Sequence, residues 1–270
     1  MSKQTLRVIA FGAHPDDCEI FCGGLAAKLV SRGDAVKFVS LTNGNAGHHQ
    51  DDREALKKRR LQETKNAANV LGIEYDVLDN NDGELTPSLD VRWEIIRQIR
   101  SWRAEVVLSH RPHDYHPDHR YTAMAVQDAA YMVMVPPICS ETPPLTHNPS
   151  FFYFWDPFLK PYPFQPDVAV AVDEVMEAKW NMMHCHTSQF YEWLPYVDGC
   201  QEAVPDGEEE RKKWMIAMWT PWLSDMTACC INQLENRYGG GRAIQLAETF
   251  EICEYGSRPT AEDIERIFPK

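Results

Sequence analysis

The 270-residue sequence has no long hydrophobic run, and none of its apolar stretches reaches the roughly 20 residues that a membrane-spanning helix needs. It also has no excess of basic residues, because 27 Lys and Arg stand against 40 Asp and Glu, and the formal net charge is -13. Nucleic acids and anionic membranes both bind a basic face, so this charge argues against them as main partners. We therefore predict no membrane span and no nucleic-acid partner.

Two further features are missing from the sequence. No basic segment followed by an apolar one comes after Met1, and no Cys-x-x-Cys pair occurs among the 8 cysteines. The first absence leads us to expect a cytoplasmic protein. The second argues against a zinc knuckle, and in a reducing compartment we expect the cysteines to be small core residues and not disulfides.

Strands and helices alternate along the first half of the sequence. Apolar and β-branched runs predict strands at residues 6–11, 36–41, 74–78 and 105–109. Helical patterns lie between and after them, at residues 23–30, 52–71, 89–102 and 119–135. This order is typical of right-handed βαβ units, so we predict an α/β fold with a doubly wound, mostly parallel sheet and helices on both faces.

The second half of the sequence is less regular after Pro136-Pro137. We predict strands at 151–155, 168–172 and 247–253, a helix at 174–184, and a helical stretch at 208–237 interrupted at Pro221. No linker clearly divides the chain. We therefore expect a single domain over residues 1–270, with the regular core in 1–135 and a C-terminal mixed extension in 136–270.

Two short segments place histidines and aspartates directly after predicted strands. They are Ala13-His14-Pro15-Asp16-Asp17 and His116-Pro117-Asp118-His119. Open α/β sheets bind their ligands at the carboxyl ends of the strands. Proline is favoured at the first position of a helix, so we predict a histidine at the helix cap in each segment and an acid in the first turn. Two His and one Asp could supply the three protein ligands of a hydrolytic zinc site, leaving an Asp and a His for proton transfer.

Other interpretations of these residues stay open at this point. Asp118 fits a simple helix-cap acid, whereas adjacent Asp16 and Asp17 beside a histidine repel each other unless a cation is present. Two His and one carboxylate also hold Fe(II) in oxygenases, although those sites usually lie in all-β barrels. Four further histidines fall on loops near this edge, where a solvated loop explains them as well as a function does; they are His48, His49, His110 and His113.

With two other patterns, these segments resemble the PIG-L/LmbE-like zinc de-N-acetylases. That family carries Ala-His-Pro-Asp-Asp after its first strand and His-Pro-Asp-His later, and both occur here. It also carries an Arg-x-x-Glu helix ending in Leu-Gly, matched by Arg60, Glu63 and Leu71-Gly72. A fourth hallmark, His-x-Ser-Gln, is matched at 186–189, so the resemblance runs from the first strand to Gln189.

The resemblance implies a Rossmann-like fold, a mononuclear zinc site with Fe²⁺ as the alternative metal, and hydrolysis of an N-acetylated amino sugar of the GlcNAc type to acetate and a free amine. The metal ligands it implies are His14, Asp17 and His119. It implies that Asp16 is the general base and that protonated His116 stabilises the oxyanion or acts as the acid. The substrate-binding residues it implies are Arg60, Asp114 and His186.

Two rival functions remain within this resemblance: an amidase that acts on a thiol-sugar conjugate, and a non-catalytic relative that binds a sugar or a metal. The aromatic run at 151–155 and the later tryptophans lie outside the matched patterns; the tryptophans are Trp193, Trp214, Trp219 and Trp222. Core packing is the first interpretation of these residues, and a subunit interface or a sugar-stacking wall are the alternatives. We predict that part of this set supports a homo-oligomer.

Overall fold

A computed structural model of the chain describes residues 5–241 and 243–270. Within this part, seven strands form one sheet. They are β1 (Arg7–Gly12), β2 (Ala35–Thr42), β3 (Glu74–Asn80), β4 (Val106–Ser109), β5 (Ser150–Phe154), β6 (Val168–Ala171) and β7 (Ala247–Gly256). The order across the sheet is β3-β2-β1-β4-β5-β7-β6, with β1 to β5 parallel and β7 antiparallel to both of its neighbours. The predicted α/β fold with a mostly parallel sheet is confirmed, and strands from both halves of the chain share the sheet.

Helices surround this sheet. They are α1 (Asp17–Ser31), α2 (Arg53–Leu71), α3 (Leu89–Trp102), α4 (Pro117–Met132), α5 (Met176–His184), α6 (Leu194–Val197), α7 (Glu208–Ala228), α8 (Ile231–Tyr238) and α9 (Ala261–Ile267). A π-helical turn, Gln189–Trp193, leads directly into α6. Among the residues described, no helix is both long enough and apolar enough to cross a bilayer.

The sheet separates two hydrophobic cores. Along β1, Val8 and Ala10 pack into one core while Ile9 and Phe11 pack into the other, because successive side chains of a strand point to opposite faces. The first core is closed by apolar side chains of α1, α5 and α7, and the second by those of α3 and α4. Helices therefore cover both faces of the sheet, as predicted. Four members of the aromatic run, Phe151, Phe152, Phe154 and Trp155, are buried in these cores.

Both ends of α2 lie where the sequence predicts them. Asp52 caps its first turn by accepting a hydrogen bond from the Ala55 amide at 2.9 Å. Gly72 ends it in the left-handed region, with φ of 69°, which glycine adopts without a steric penalty. The predicted helix at 52–71 is thus confirmed.

Two predicted helices differ from the structure. The expected interruption at Pro221 is wrong, since α7 continues through it and ends at Ala228. Proline removes one main-chain hydrogen bond, but buried Met215 and Leu223 anchor α7 to the core on both sides of Pro221. The helix predicted at 23–30 begins earlier, at Asp17, and is broken by a non-helical residue at Cys22.

The parallel strands place four loops at one edge of the sheet. Because β1 to β4 share a direction, the segments that follow them leave at the same side of the molecule. β1 and β4 are direct neighbours in the sheet, so the first turns of α1 and α4 lie side by side. This adjacency brings together the two His-Pro-Asp segments.

Candidate metal centre and catalytic site

The two His-Pro-Asp segments begin their helices differently. In the second, His116 is the helix cap, as predicted, with Pro117 as the first helical residue and the His116 Nδ1 accepting from the Asp118 amide at 3.2 Å. In the first, the predicted cap at His14 is wrong, because the cap residue is Asp16. The Asp17 Oδ2 instead accepts hydrogen bonds from the amides of Ala13 and His14, both at 2.8 Å, and folds this loop back on itself.

The backbone of Asp16 is strained. Its φ of 154° lies in a region that favours glycine. Arg60, which is almost fully buried on α2, stabilises this turn from the other side. One of its guanidinium nitrogens donates to the Pro15 carbonyl at 2.7 Å and to the Asp16 Oδ2 at 3.0 Å. The Asp16 carboxylate is therefore fixed in direction by an ion pair.

His14, Asp17 and His119 meet at the centre of the site. One possible ligand atom from each lies within 4.8 Å of the others. The His14 Nδ1 is 3.6 Å from the Asp17 Oδ2, and the His119 Nε2 is 3.5 Å from the Asp17 Oδ1. Donors bound tetrahedrally at about 2.0–2.2 Å from one zinc ion stand about 3.4 Å apart. The three side chains therefore fit a single divalent cation in both chemistry and spacing.

Carboxylates surround these three side chains. The His119 Nδ1 hydrogen bonds to the Asp114 Oδ2 at 3.0 Å. The His14 Nε2 faces the Asp118 Oδ2 at 3.3 Å and the Asp82 Oδ1 at 3.4 Å. Metal-binding histidines usually donate their second ring nitrogen to a carboxylate in this way, which orients the ring. Two other groups of three side chains also bring one possible ligand atom from each member within 4.8 Å of the others. They are His14 with His116 and Asp118, and His110 with Asp114 and His119.

The two adjacent aspartates differ in their electrostatics. Burial would raise the pKa of Asp17, but His119 and His110 face it and hold its pKa well below the ordinary value. Burial raises the pKa of Asp16 to about 6, and the Arg60 guanidinium opposes that rise. The site thus favours an ionised Asp17, which suits a cation, whereas the pKa of Asp16 lies in the range that suits proton transfer near neutral pH.

The environment of His116 favours its neutral form. Burial lowers its pKa below the ordinary value, and the neighbouring His14 and His119 rings lower it further. Its Nδ1 accepts the Asp118 amide hydrogen bond, which assigns the ring proton to Nε2. This environment favours a neutral ring with one N–H donor over the expected protonated one, and the role of His116 stays a prediction.

A cavity of about 370 Å³ brings most of the predicted site residues together. Its wall includes His14, Asp16, Asp17, Arg60, His116 and His119. Asp114 and His186 are not part of that wall. Asp114 lies behind His119, and His186 is fully buried with its Nε2 2.8 Å from the Glu19 Oε1. Both residues therefore lie behind the cavity in this structure, and their expected contact with substrate stays a prediction.

The Arg-x-x-Glu and His-x-Ser-Gln patterns meet in the structure. Glu63 on α2 accepts hydrogen bonds from the Ser188 amide at 2.8 Å, the Ser188 hydroxyl at 2.7 Å and the Thr187 hydroxyl at 2.8 Å. The neighbouring Gln189 donates to the Gly47 carbonyl at 3.1 Å and lines the cavity. The shared role of the two patterns is to fasten the segment at 186–189 against α2 and beside the cavity.

Sequence reasoning missed several residues of this site. Asp82 lines the cavity and faces His14, and its signal was the polar turn Asn80-Asn81-Asp82-Gly83 at the end of β3. The His14 hydrogen bonding keeps the pKa of Asp82 below the ordinary value despite its burial. His110, left open as a loop residue, is buried with its Nε2 3.1 Å from the Asp17 Oδ2. Asp118 is also more than a helix cap, since it accepts from the Gly83 amide at 2.7 Å and faces His14.

Comparison with known proteins gives matches over most of the chain. Residues 9–130 match the family described as PIG-L, GlcNAc-PI de-N-acetylase. Diacetylchitobiose deacetylase of Thermococcus kodakarensis is 32% identical over 207 residues, which cover 71% of this chain and 74% of that protein.

Solved structures give the same fold. N,N'-diacetylchitobiose deacetylase from Pyrococcus horikoshii superposes with a TM-score of 0.70 and 24% identity over 91% of this chain and 83% of that one. GalB, the 4-carboxy-2-hydroxymuconate hydratase from Pseudomonas putida KT2440, superposes with a TM-score of 0.71 and 18% identity over 94% of this chain and 99% of that one. These two likenesses establish the architecture and say nothing by themselves about the reaction.

Proposed function

This chain belongs to the PIG-L family, and from that premise we propose that it is a metal-dependent hydrolase that removes the acetyl group from an N-acetylated amino sugar of the GlcNAc type. The activity named for its relative from Thermococcus kodakarensis, deacetylation of diacetylchitobiose, supports this substrate class. The observation that carries the proposal is the meeting of His14, Asp17 and His119 in one cavity with a separate carboxylate, that of Asp16.

We propose His14, Asp17 and His119 as the ligands of a zinc ion. This set is favoured over the two overlapping ones because it leaves Asp114 and Asp118 to orient the two histidines. Two imidazoles and one carboxylate suit Zn²⁺ with an open fourth position, and they also suit Fe²⁺. When bound, such an ion would lower the pKa of a coordinated water and polarise the acetamide carbonyl.

Asp16 would act as the general base. It is ionised at neutral pH, since its pKa is about 6, and it lines the cavity beside the metal ligands. The Asp16 carboxylate accepts a proton as a water oxygen bonds to the acetamide carbonyl carbon. It then returns the proton to the leaving nitrogen as the C–N bond breaks, so that amide and water yield an amine and acetic acid.

His116 would stabilise the developing oxyanion as a neutral donor. Its Nε2–H is available because Nδ1 is held by the Asp118 amide. A neutral donor of this kind strengthens its hydrogen bond as negative charge gathers on the carbonyl oxygen. Arg60 serves by holding the Asp16 carboxylate, through its bonds to Pro15 and Asp16.

The proposal is tested by acetate release from N-acetylglucosamine and N,N'-diacetylchitobiose, together with elemental analysis of the purified protein. We expect acetate and one equivalent of zinc or iron, and reconstitution of the metal-free protein with each ion identifies the active one. Asp16→Asn should retain the metal and lose at least about 100-fold in kcat/KM. Full activity of that variant would remove Asp16 from its role, and release of amine from a thiol-sugar conjugate alone would favour the amidase alternative.

We also propose that the protein works in the cytoplasm. All 8 cysteines, which lie among the described residues, are free thiols, as a reducing compartment permits. Their expected burial holds for four of them, Cys18, Cys22, Cys230 and Cys253, whereas Cys139, Cys185 and Cys200 are only partly buried and Cys229 is exposed. Localisation of a tagged full-length chain by cell fractionation tests this part of the proposal.

A further inference from the structure

The Trp-rich C-terminal segment forms a second cavity next to the catalytic one. Its volume is about 270 Å³, and its walls come from the 189–200 segment and from α7. The apolar side chains that enclose it include Phe190, Leu194, Trp214, Met218, Trp219 and Trp222. Three of them, Trp214, Met218 and Trp222, recur every four residues and so share one face of α7. We call this space the tryptophan pocket.

The tryptophan pocket adjoins the catalytic cavity. Leu194 and Trp219 line both spaces. The two spaces therefore meet at these two side chains.

The side chains of the pocket are arranged as an open aromatic wall. Trp219 meets Phe190 edge to face, with ring centroids 5.1 Å apart, and meets Trp222 in the same way at 5.7 Å. Met218 also lines the pocket and is 46% exposed. Core packing therefore leaves part of this wall accessible, and the accessible part faces a space large enough for a single ring.

The chemistry of the wall selects the kind of group that can enter. A sugar ring needs hydrogen-bond partners for its hydroxyl groups, and burying them without partners is costly. Among the described residues that line the tryptophan pocket, the polar groups are the Asp198 carboxylate, the Cys200 thiol and three indole N–H groups, while most of the lining is apolar. Aromatic and thioether side chains favour a flat apolar group instead.

We propose that the tryptophan pocket is a specificity subsite that binds an apolar, preferably aromatic, aglycone carried by the N-acetylated amino sugar. This inference rests on the proposed deacetylase function and narrows its substrate to glycosides with such a group. A methyl glycoside would fill the catalytic cavity alone, whereas a phenyl glycoside would also bury its ring against Trp219 and Met218.

The test compares acetate release from methyl and phenyl N-acetyl-β-D-glucosaminide. We expect kcat/KM to be at least about tenfold higher for the phenyl glycoside, since burying a ring of this size stabilises the complex substantially. Met218→Gln should reduce that preference at least about threefold, because it sets an amide group in the apolar wall. Met134→Gln is the matched control, since Met134 is 39% exposed and lies outside the pocket, and it should keep the parent preference.

The other outcomes separate this inference from the proposed function. Equal kcat/KM for the two glycosides overturns the subsite and leaves deacetylation standing. If neither glycoside releases acetate, the proposed deacetylation is wrong, and tryptophan fluorescence then tests the pocket by itself. Saturable quenching by the phenyl glycoside that weakens in Met218→Gln supports the subsite. Unchanged fluorescence overturns the subsite. A dimer in sedimentation velocity that dissociates in Met218→Gln also overturns the subsite, in favour of a contact between two copies of the chain.

Discussion

Lys179 and Glu248 form a buried ion pair in which the Nζ and Oε1 atoms are 2.6 Å apart and the side chains are 1% and 0% exposed. The pair lies at the break in α1. The Lys179 Nζ also donates to the Ile20 carbonyl at 2.7 Å, and the Glu248 carboxylate accepts from the amides of Gly24 and Leu25 at 2.8 and 2.7 Å. These bonds supply partners for main-chain groups on both sides of the break. The ion pair thus ties the first turns of α1, which carry Asp17, to α5 and β7.

We predict that Lys179→Met lowers the free energy of unfolding by about 3–5 kcal/mol, because it leaves the Glu248 charge buried without its cation. Adding Glu248→Gln should restore part of this loss, since the amide carries no charge. Urea unfolding followed by circular dichroism measures both effects. Lys213→Met is the control, since Lys213 is 75% exposed and should change stability little. A Lys179→Met variant as stable as the control would contradict the claim that this ion pair stabilises the break in α1.

Arg60 gives a second prediction, which concerns activity. Arg60→Lys keeps the positive charge but loses the planar group that donates to both Pro15 and Asp16. We expect kcat/KM for acetate release to fall about 10- to 100-fold, because the Asp16 carboxylate is no longer held in direction. Metal content should not change.

The matched control for that prediction is Arg53→Lys, because Arg53 lies on the same helix and pairs at the surface with Glu84 at 2.7 Å. It should keep the parent kcat/KM. An Arg60→Lys variant with parent activity, or one that loses its metal, would show that Arg60 does not act by positioning Asp16.

The fold was predictable because its signals are local. Apolar strands separated by helical patterns specify βαβ units, and the parallel order of β1, β2 and β4 follows from them. The first turn of α4 was equally predictable, since Pro117 requires a cap immediately before it. The first turn of α1 was not, because the Asp17 side chain binds the amides of Ala13 and His14 and shifts the cap to Asp16.

Other parts of the site depend on contacts between residues far apart in the sequence. Asp82 reaches His14 only because β3 and β1 end at the same edge, and no local pattern around Asp82 indicates that partner. The burial of His186 depends on Glu19, 167 residues away. Such distant pairs determine whether a histidine faces a cavity or supports it from behind, and sequence spacing carries no information about them.

Asp114 gives a third prediction, which concerns metal affinity. Its Oδ2 accepts from the His119 Nδ1 at 3.0 Å, and its Oδ1 accepts from the His116 amide at 2.7 Å. Asp114→Asn keeps one oxygen for the amide but turns an NH₂ group toward the His119 ring, where two donors would meet. We expect the metal dissociation constant to rise about 10- to 100-fold, measured by competition with a chelator. The control is Asp128→Asn. Asp128 lies on α4 and pairs at the surface with Arg92 of α3, so this variant should bind metal like the parent.

Asp156 gives a fourth prediction, which concerns the pH dependence of stability. This carboxyl lies in the loop after β5, 3.4 Å from the Arg111 guanidinium. Burial raises its pKa from 3.8 to about 6, and Arg111 opposes but does not cancel that rise. The fold therefore favours the neutral carboxyl, so the stabilising contribution is complete below about pH 3.8 and is lost as the pH rises through about 6.

Asp156→Asn cannot ionise and lacks this pH-dependent contribution. The free energy of unfolding of the parent, measured relative to the variant by urea titration, should therefore fall between about pH 4 and about pH 6.5. The exposed Asp206→Asn controls for removal of one carboxyl and should follow the parent at both pH values. A difference between Asp156→Asn and the parent that stays constant, or that changes in the opposite direction, would mean that Arg111 outweighs burial and keeps this carboxyl ionised throughout the range.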